Sequence, residues 1–215
     1  MRAHLRPLVL ATIALTSVAS CASTKTAKSF VAPGFSKTTV KKVLVLGVSG
    51  NPLLRRFYED AFAVELEKRG YEAVSGYLWA PDATPLDKDA LLAKMKAAHV
   101  TNVLVTRVIS KKDVVTSGAS ALAAGQEGYG GYGPASYGSW STYYAAGYAT
   151  ASDPGYSTVN DIVTFETNFY DAAKEPDTLV WSGASSTWKD QPRSTKKLDG
   201  IISAIVHRMR AARVL

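Results

Sequence analysis

The distribution of apolar residues predicts a folded α/β domain over residues 42–215. Residues 42–48 read Lys-Val-Leu-Val-Leu-Gly-Val, a nearly continuous apolar run that is typical of a strand covered on both faces. Asn51 and Pro52 follow as a helix N-cap and first turn, and Gly70 ends the predicted helix. Apolar residues at helical spacing mark the face that we expect this helix to bury: Leu54, Phe57, Tyr58, Ala61, Phe62 and Leu66.

The same reasoning places strands at residues 71–74, 102–115, 159–169 and 178–188. Two more helices are expected, one starting near Thr84 and one near Ser194. The predicted order is β-α-β-α-β, an insert, and then β-β-α. We therefore expect a mixed, mostly parallel sheet with helices packed on it, and a closing hairpin that adds an antiparallel edge.

A Gly/Tyr-rich insert, residues 117–156, separates the third and fourth strands of the domain. It contains nine glycines and seven tyrosines, and no Lys or Arg lies between Lys112 and Lys174. Tyr and Trp concentrate at binding surfaces because they offer large amphipathic contact areas. The residues expected to form a partner surface are Tyr129, Tyr132, Tyr137, Trp140, Tyr143, Tyr144 and Tyr148.

Two other interpretations of the insert stay open. It is also compatible with a partly disordered low-complexity loop, or with an amphipathic hairpin at residues 140–150 that joins a membrane pore. Nucleic acid is excluded as a ligand, because stacking on a single strand requires a basic groove and the insert has no base.

The formal charge of +7 arises entirely from the N-terminal part of the chain. Residues 1–42 contain seven of the 25 basic residues and no acidic one, so that residues 43–215 balance 18 bases against 18 acids. A short basic stretch and an apolar run at residues 8–16, too short to span a bilayer, precede Val18-Ala19-Ser20-Cys21. This segment resembles the lipobox of bacterial lipoprotein precursors.

The resemblance implies that Val18, Ala19 and Ser20 are read by a signal peptidase and that the Cys21 thiol is lipidated. Residues 1–20 are then the signal peptide and residues 21–41 a lipidated, flexible tether to a single domain at 42–215. Cys21 is the only cysteine, which excludes disulfides within the chain. Ala22 favours the periplasmic leaflet of the outer membrane over the inner membrane.

Candidate chemistry is sparse, and we expect no catalytic residue, metal or cofactor. The Gly47–Asn51 turn lies where phosphate loops occur but lacks their sequence, so a helix cap is the simpler interpretation. The acidic residues of the first helix are expected on its wet face: Glu59, Asp60, Glu65 and Glu67.

The order of elements is similar to that of a family of bacterial envelope proteins that includes CsgG, LpoB and the N-terminal domain of TolB. The matching pieces are residues 43–48, 66–74, 102–107 and 178–183. The resemblance implies protein binding or assembly without catalysis. We expect a lipid-anchored module that binds an envelope protein or another copy. The alternatives are a subunit of an oligomeric secretion pore and an envelope enzyme acting at the Gly47–Arg56 turn.

Overall fold

The computed structural model describes residues 25–32, 40–81, 87–109, 139–151, 163–173, 177–187 and 195–215. The strands are β1 (Lys25–Val31), β2 (Lys42–Val48), β3 (Glu72–Ser75), β4 (Asn102–Ile109), β5 (Val163–Asp171) and β6 (Thr178–Thr187). The helices are α1 (Pro52–Glu67), α2 (Lys88–Ala97), α3 (Trp140–Ala151) and α4 (Thr195–Ala211), and a 3-10 turn spans Gly76–Leu78.

The strands of the described part form one mixed sheet in the order β1-β6-β5-β4-β2-β3. The predicted mixed α/β fold is confirmed, and β2 pairs in parallel with both β3 and β4 as expected. The pairs β4–β5, β5–β6 and β1–β6 are antiparallel. Antiparallel pairs therefore outnumber parallel ones, because β1 adds a third antiparallel pair to the sheet.

Helices cover the sheet on both faces. On one face, α1 and α4 bury an apolar core that includes Val43, Val45, Phe62, Leu66 and Ile202. On the other face, α2 and α3 cover a second core, whose members are Leu44, Leu46, Val48, Leu91, Met95, Val100, Val103, Val105, Trp140, Tyr143, Tyr144, Tyr170 and Leu179. Alternate β2 residues point into opposite cores, which explains the continuous apolar run of this strand.

The predicted ends of α1 are confirmed. The Asn51 side chain accepts hydrogen bonds from the backbone N–H groups of Leu53, at 3.0 Å, and Leu54, at 3.2 Å. Pro52 occupies the first helical position. Gly70, just beyond the helix, has a φ of 86°, which glycine adopts without the strain of a β-carbon.

Two elements depart from the expectations. Residues 25–31, which lie in the segment expected to be a flexible tether, form β1 and pair with β6. Residues 140–151 of the insert form α3 rather than a loop or the hairpin of the pore interpretation. Tyrosines and alanines without a clear period conceal this helix from a pattern search, and its packing on the sheet supplies what the pattern lacks.

The Trp181-Ser182-Gly183 segment of β6 has a packing explanation. A β-carbon on residue 183 would lie 2.3 Å from the Trp181 ring, so the indole covers the face of the strand where residue 183 has no side chain. Trp181 thereby reaches the core shared with α1 and α4 while it occupies the space above its own strand. Glycine at residue 183 is a packing requirement of this tryptophan.

Candidate functional site

Polar side chains gather where β2 ends and α1 begins, the edge at which α/β proteins commonly place their sites. Glu59 of α1 is completely buried, and its Oε1 accepts hydrogen bonds at 2.9 Å from both the Gly47 N–H and the Arg55 Nε. Its Oε2 accepts a hydrogen bond from the Tyr77 N–H at 2.6 Å. We call Arg55, Glu59 and the Gly47 and Tyr77 backbone groups the Glu59 cluster.

Electrostatics within the Glu59 cluster reflect its burial. Burial raises the pKa of Glu59, while the Arg55 charge and the two backbone donors oppose the rise. Burial by itself lowers the pKa of Arg55, but attraction to Glu59, Tyr144 and Tyr148 and the hydrogen bond to Glu59 together outweigh it, and the pKa of Arg55 is raised. The donors around Glu59 are those that a carboxylate requires, so the cluster ties α1, β2 and the 3-10 turn together as an ion pair.

Helix α3 closes this cluster from the other side. The Tyr148 hydroxyl donates a hydrogen bond to the Gly47 carbonyl oxygen at 3.2 Å, and the Tyr144 and Tyr148 rings lie 4.8 Å apart. Burial, followed by the neighbouring Tyr148, raises the pKa of Tyr144. A β-carbon on Gly147 would lie 3.1 Å from a Val48 methyl group, so the α3 backbone approaches β2 closely here.

A second polar group fastens α3 to the antiparallel half of the sheet. Arg107 and Glu166 face each other across β4 and β5, with Nη2 and Oε2 2.6 Å apart. The Tyr143 hydroxyl donates to the same Glu166 oxygen at 2.8 Å, and the Arg107 guanidinium lies 5.0 Å from the centre of the Tyr143 ring. Burial, followed by the Glu166 charge, raises the pKa of Tyr143 well above its ordinary value of 10.

The expectation of a partner surface is wrong for the aromatic residues at the start of α3. Trp140, Tyr143 and Tyr144 are at most 3% exposed, because they pack on β2, β4 and β5. Tyr148 is half-buried. The remaining predicted site residues lie outside the described part of the chain: Val18, Ala19, Ser20, Cys21, Tyr129, Tyr132 and Tyr137.

The Gly47–Asn51 turn uses its polar groups internally. The Gly47 N–H binds Glu59, and the Asn51 side chain caps α1 while its own N–H binds the Ser49 hydroxyl at 3.2 Å. Arg55, which belongs to the Gly47–Arg56 turn of the enzyme alternative, is buried against Glu59. The described residues contain no group of three or more His, Cys, Asp or Glu side chains arranged to hold a metal ion.

The buried ion pair was missed because the acidic residues of α1 were assigned to its wet face. Glu59 is fully buried and Glu65 nearly so, contrary to that assignment. The signal was present: Arg55, Glu59, Phe62 and Leu66 follow each other at spacings of four, three and four, which places them on one helical face. Phe62 and Leu66 are expected in the core, so this spacing places Arg55 and Glu59 beside core residues.

Apolar side chains occupy the opposite, outer face of α1. Leu53 is 64% exposed, Phe57 48% and Val64 47%, and Leu54 is exposed as well. Leu54 and Phe57 had been expected in the core, whereas Tyr58, Phe62 and Leu66 are buried as expected. Both faces of α1 carry large apolar residues, so the apolar pattern alone does not tell which face is inside.

No helix of the described residues has the length and hydropathy needed to cross a bilayer.

No protein-family model and no curated protein matches this chain. Solved structures with a similar arrangement include a point variant of the PelC dodecamer from Paraburkholderia phytofirmans, at 12% identity and a TM-score of 0.41 over 83% of this chain and 93% of that one. A DUF4136 family protein from Bacteroides thetaiotaomicron matches at 10% identity and a TM-score of 0.42, over 87% and 95% of the two chains.

Lipoprotein GNA1162 from Neisseria meningitidis is a further solved structure of similar arrangement. It matches at 13% identity and a TM-score of 0.38, covering 80% of this chain and 99% of its own. Similarities at these identities and TM-scores assign neither a family nor a function to the chain.

Proposed function

We propose that this protein is a lipid-anchored lipoprotein of the outer membrane that acts in the periplasm as a non-catalytic binding or assembly module. The anchor rests on the Val18-Ala19-Ser20-Cys21 segment and the basic and apolar stretches before it. Acyl chains on Cys21 would hold the domain at the membrane, since two lipid signals are sufficient for stable attachment.

One structural observation supports a scaffold: the polar side chains near the end of β2 and between β4 and β5 hydrogen-bond to groups of their own domain. Glu59 is surrounded by three donors from its own domain, and Glu166 holds Arg107 and Tyr143. These contacts join α1, α3 and the sheet. The buried polar side chains therefore serve the stability of the fold. Partner contact is proposed for Tyr129, Tyr132 and Tyr137, the tyrosines of the insert that precede α3.

The anchor is tested by growth with labelled palmitate. We expect label in the full-length protein and none in the Cys21→Ala variant, and mass spectrometry should locate the acyl groups on Cys21. Label retained by Cys21→Ala would contradict the anchor.

The partner surface is tested by affinity purification of the intact lipoprotein and of a variant lacking residues 118–137. This deletion spares α3, which a deletion of the entire insert would remove together with its buried aromatic residues. We expect the deletion to abolish capture of the envelope partner while the thermal unfolding midpoint is preserved. Native mass spectrometry in detergent shows whether that partner is another copy. Unchanged complexes would contradict the proposed surface.

A further inference from the structure

The strand register brings the chain leaving Cys21 to the same end of the domain as the start of α1. Lys25 of β1 pairs with Ser186 near the end of β6, and Thr187 pairs with Val163 at the start of β5. Thr164 in turn pairs with Ile109 at the end of β4, which runs parallel to β2. The start of β1 and the end of β2 therefore lie at the same end of the sheet, and α1 begins there.

Pairing of β1 with β6 shortens the connection between Cys21 and the folded domain. Four residue steps separate Cys21 from Lys25, so the span is at most about 14 Å. A flexible tether that reached to β2, as the sequence had indicated, would span as much as about 70 Å. With β1 in the sheet, an anchor at Cys21 holds this end of the domain at the bilayer surface.

Exposed apolar residues concentrate at this same end. Of the six large apolar residues that are exposed in the described part, four lie here: Leu53, Leu54, Phe57 and Leu78. The first two belong to the first turn of α1, Phe57 to its second turn, and Leu78 follows the carboxyl end of β3. Four inter-strand spacings separate β1 from β2, a distance of about 19 Å. The start of β1 and the exposed apolar residues therefore fit on one end of the domain.

The charges at this end do not oppose contact with a lipid surface. The first turn of α1 has no acidic residue, and Arg56 is exposed, with its guanidinium 5.2 Å from the centre of the Tyr77 ring. The nearest exposed acid on the helix, Asp60, lies one turn further on and accepts a hydrogen bond from Ser75 at 2.7 Å. An apolar patch with basic charge is the composition that binds a lipid interface.

We infer that the end of the domain formed by Leu53, Leu54, Phe57 and Leu78 rests on the lipid surface, with these side chains among the headgroups. The inference relies on the proposed anchor at Cys21. The domain then has a fixed orientation, with the opposite end of the sheet turned away from the membrane. Val64, about 16 Å further along α1, stays in water.

A matched pair of probes on α1 tests this orientation. Leu53→Cys and Val64→Cys are made in the full-length lipoprotein, in which Cys21 is acylated and the new thiol alone reacts with an environment-sensitive dye. Both positions are exposed on the same helical face, so Val64→Cys is the control for labelling and folding. The proteins are reconstituted into vesicles of phosphatidylethanolamine and phosphatidylglycerol, with and without lipids that carry a nitroxide near the headgroup.

We expect the dye at residue 53 to shift to shorter wavelength and to lose at least half of its emission to the nitroxide lipids, while the dye at residue 64 is unaffected. Equal, water-like emission at both positions would overturn the orientation. Blue-shifted emission at both without quenching by the nitroxide lipids would also overturn it, because a protein would then cover the helix. Mass spectrometry of the same samples separates these results from failure of the anchor, which would appear as unmodified Cys21.

Discussion

On one face of the sheet, α1 and α4 are held mainly by aliphatic and aromatic side chains at regular helical spacing. On the other face, α3 has no charged residue and packs through Trp140, Tyr143 and Tyr144, with tyrosine hydroxyls bonded to Glu166 and Gly47. The comparison shows two ways of covering a sheet: one by a periodic apolar stripe, the other by a few large side chains whose polar ends have fixed partners.

The largest effects are expected from removing one large core side chain on each face. Phe62→Ala should lower the free energy of unfolding by about 3–5 kcal/mol, because it empties the core under α1. Trp140→Ala should instead loosen α3 locally, since long connections flank this helix. Hydrogen exchange measures both: amides of residues 140–148 should exchange faster in Trp140→Ala while those of β2 keep their protection. Uniform loss of protection in both variants would show that the two layers unfold as one unit.

A smaller loss is expected when the buried ion pair is broken. Glu59→Gln removes the negative charge next to the buried Arg55 guanidinium and should cost about 3 kcal/mol of stability. Glu67→Gln, on the exposed side of the same helix, is the matched control and should change the free energy by less than about 0.5 kcal/mol. Denaturant unfolding compares the two, and equal values would contradict the role of the Glu59 cluster.

The hydroxyl of Tyr143 is expected to matter less than the ring that carries it. Tyr143→Phe keeps the packing of α3 and removes only the hydrogen bond to Glu166, at a cost of about 1.5 kcal/mol. Tyr144→Phe serves as a comparison on the same helix. Thermal unfolding of both variants gives the values, and a Tyr143→Phe variant as stable as the parent would show that packing alone holds α3.

Acid should weaken the α1–α4 layer through Glu65. Burial by itself raises the pKa of this carboxyl, but hydrogen bonds from Ser203 and Arg69 and the charges of Arg69 and Lys68 together outweigh it, and the pKa lies below its ordinary value of 4.5. The stabilisation is therefore complete above pH 4.5 and is lost as the pH falls through the lower pKa of the folded state. Stability measured against pH should show this loss, and Glu65→Gln should remove it. A pH profile that is unchanged in Glu65→Gln would contradict the assignment.

The smallest effect is expected on the outer face of α1. Leu53→Ala should alter the free energy of unfolding by less than about 0.5 kcal/mol, since this side chain is mostly exposed. The stability losses of Leu53→Ala and Phe62→Ala, two variants of the same helix, are then compared. A small loss for Leu53→Ala and a large one for Phe62→Ala distinguish the outer face of α1 from its core face. A loss above about 1 kcal/mol in urea unfolding would place Leu53 in the folded packing.

The sequence predicted the elements whose patterns are local. The apolar run of β2, the cap at Asn51 and the glycine at residue 70 each follow from chemistry within a few residues, and all are found. The parallel pairing of β2 with β3 and β4 follows from the alternation of strands and helices. The predicted lipidation of Cys21 remains a prediction, as it falls outside the described residues.

The features that were missed depend on contacts distant in sequence. β1 consists of Lys-Thr-Ala-Lys-Ser-Phe-Val, a segment without strong alternation, and it becomes a strand because the edge of β6 accepts it. Helix α3 has no distinct apolar face, and only the sheet beneath decides which of its tyrosines are buried. Helical spacing places Glu59 beside core residues, but the backbone donors at residues 47 and 77 that bind its carboxylate lie outside the helix and follow from no helical pattern.

The account of a domain held close to the membrane depends most directly on β1, since this strand replaces a long tether with a short one. Hydrogen exchange of the full-length lipoprotein tests it at Ala32, whose N–H donates to the Val180 carbonyl oxygen at 3.0 Å at the end of this strand pair. Exchange at residues 29–32 that is slowed at least about a hundredfold relative to an unstructured peptide is the predicted result. Exchange at the rate of an unstructured peptide would contradict it.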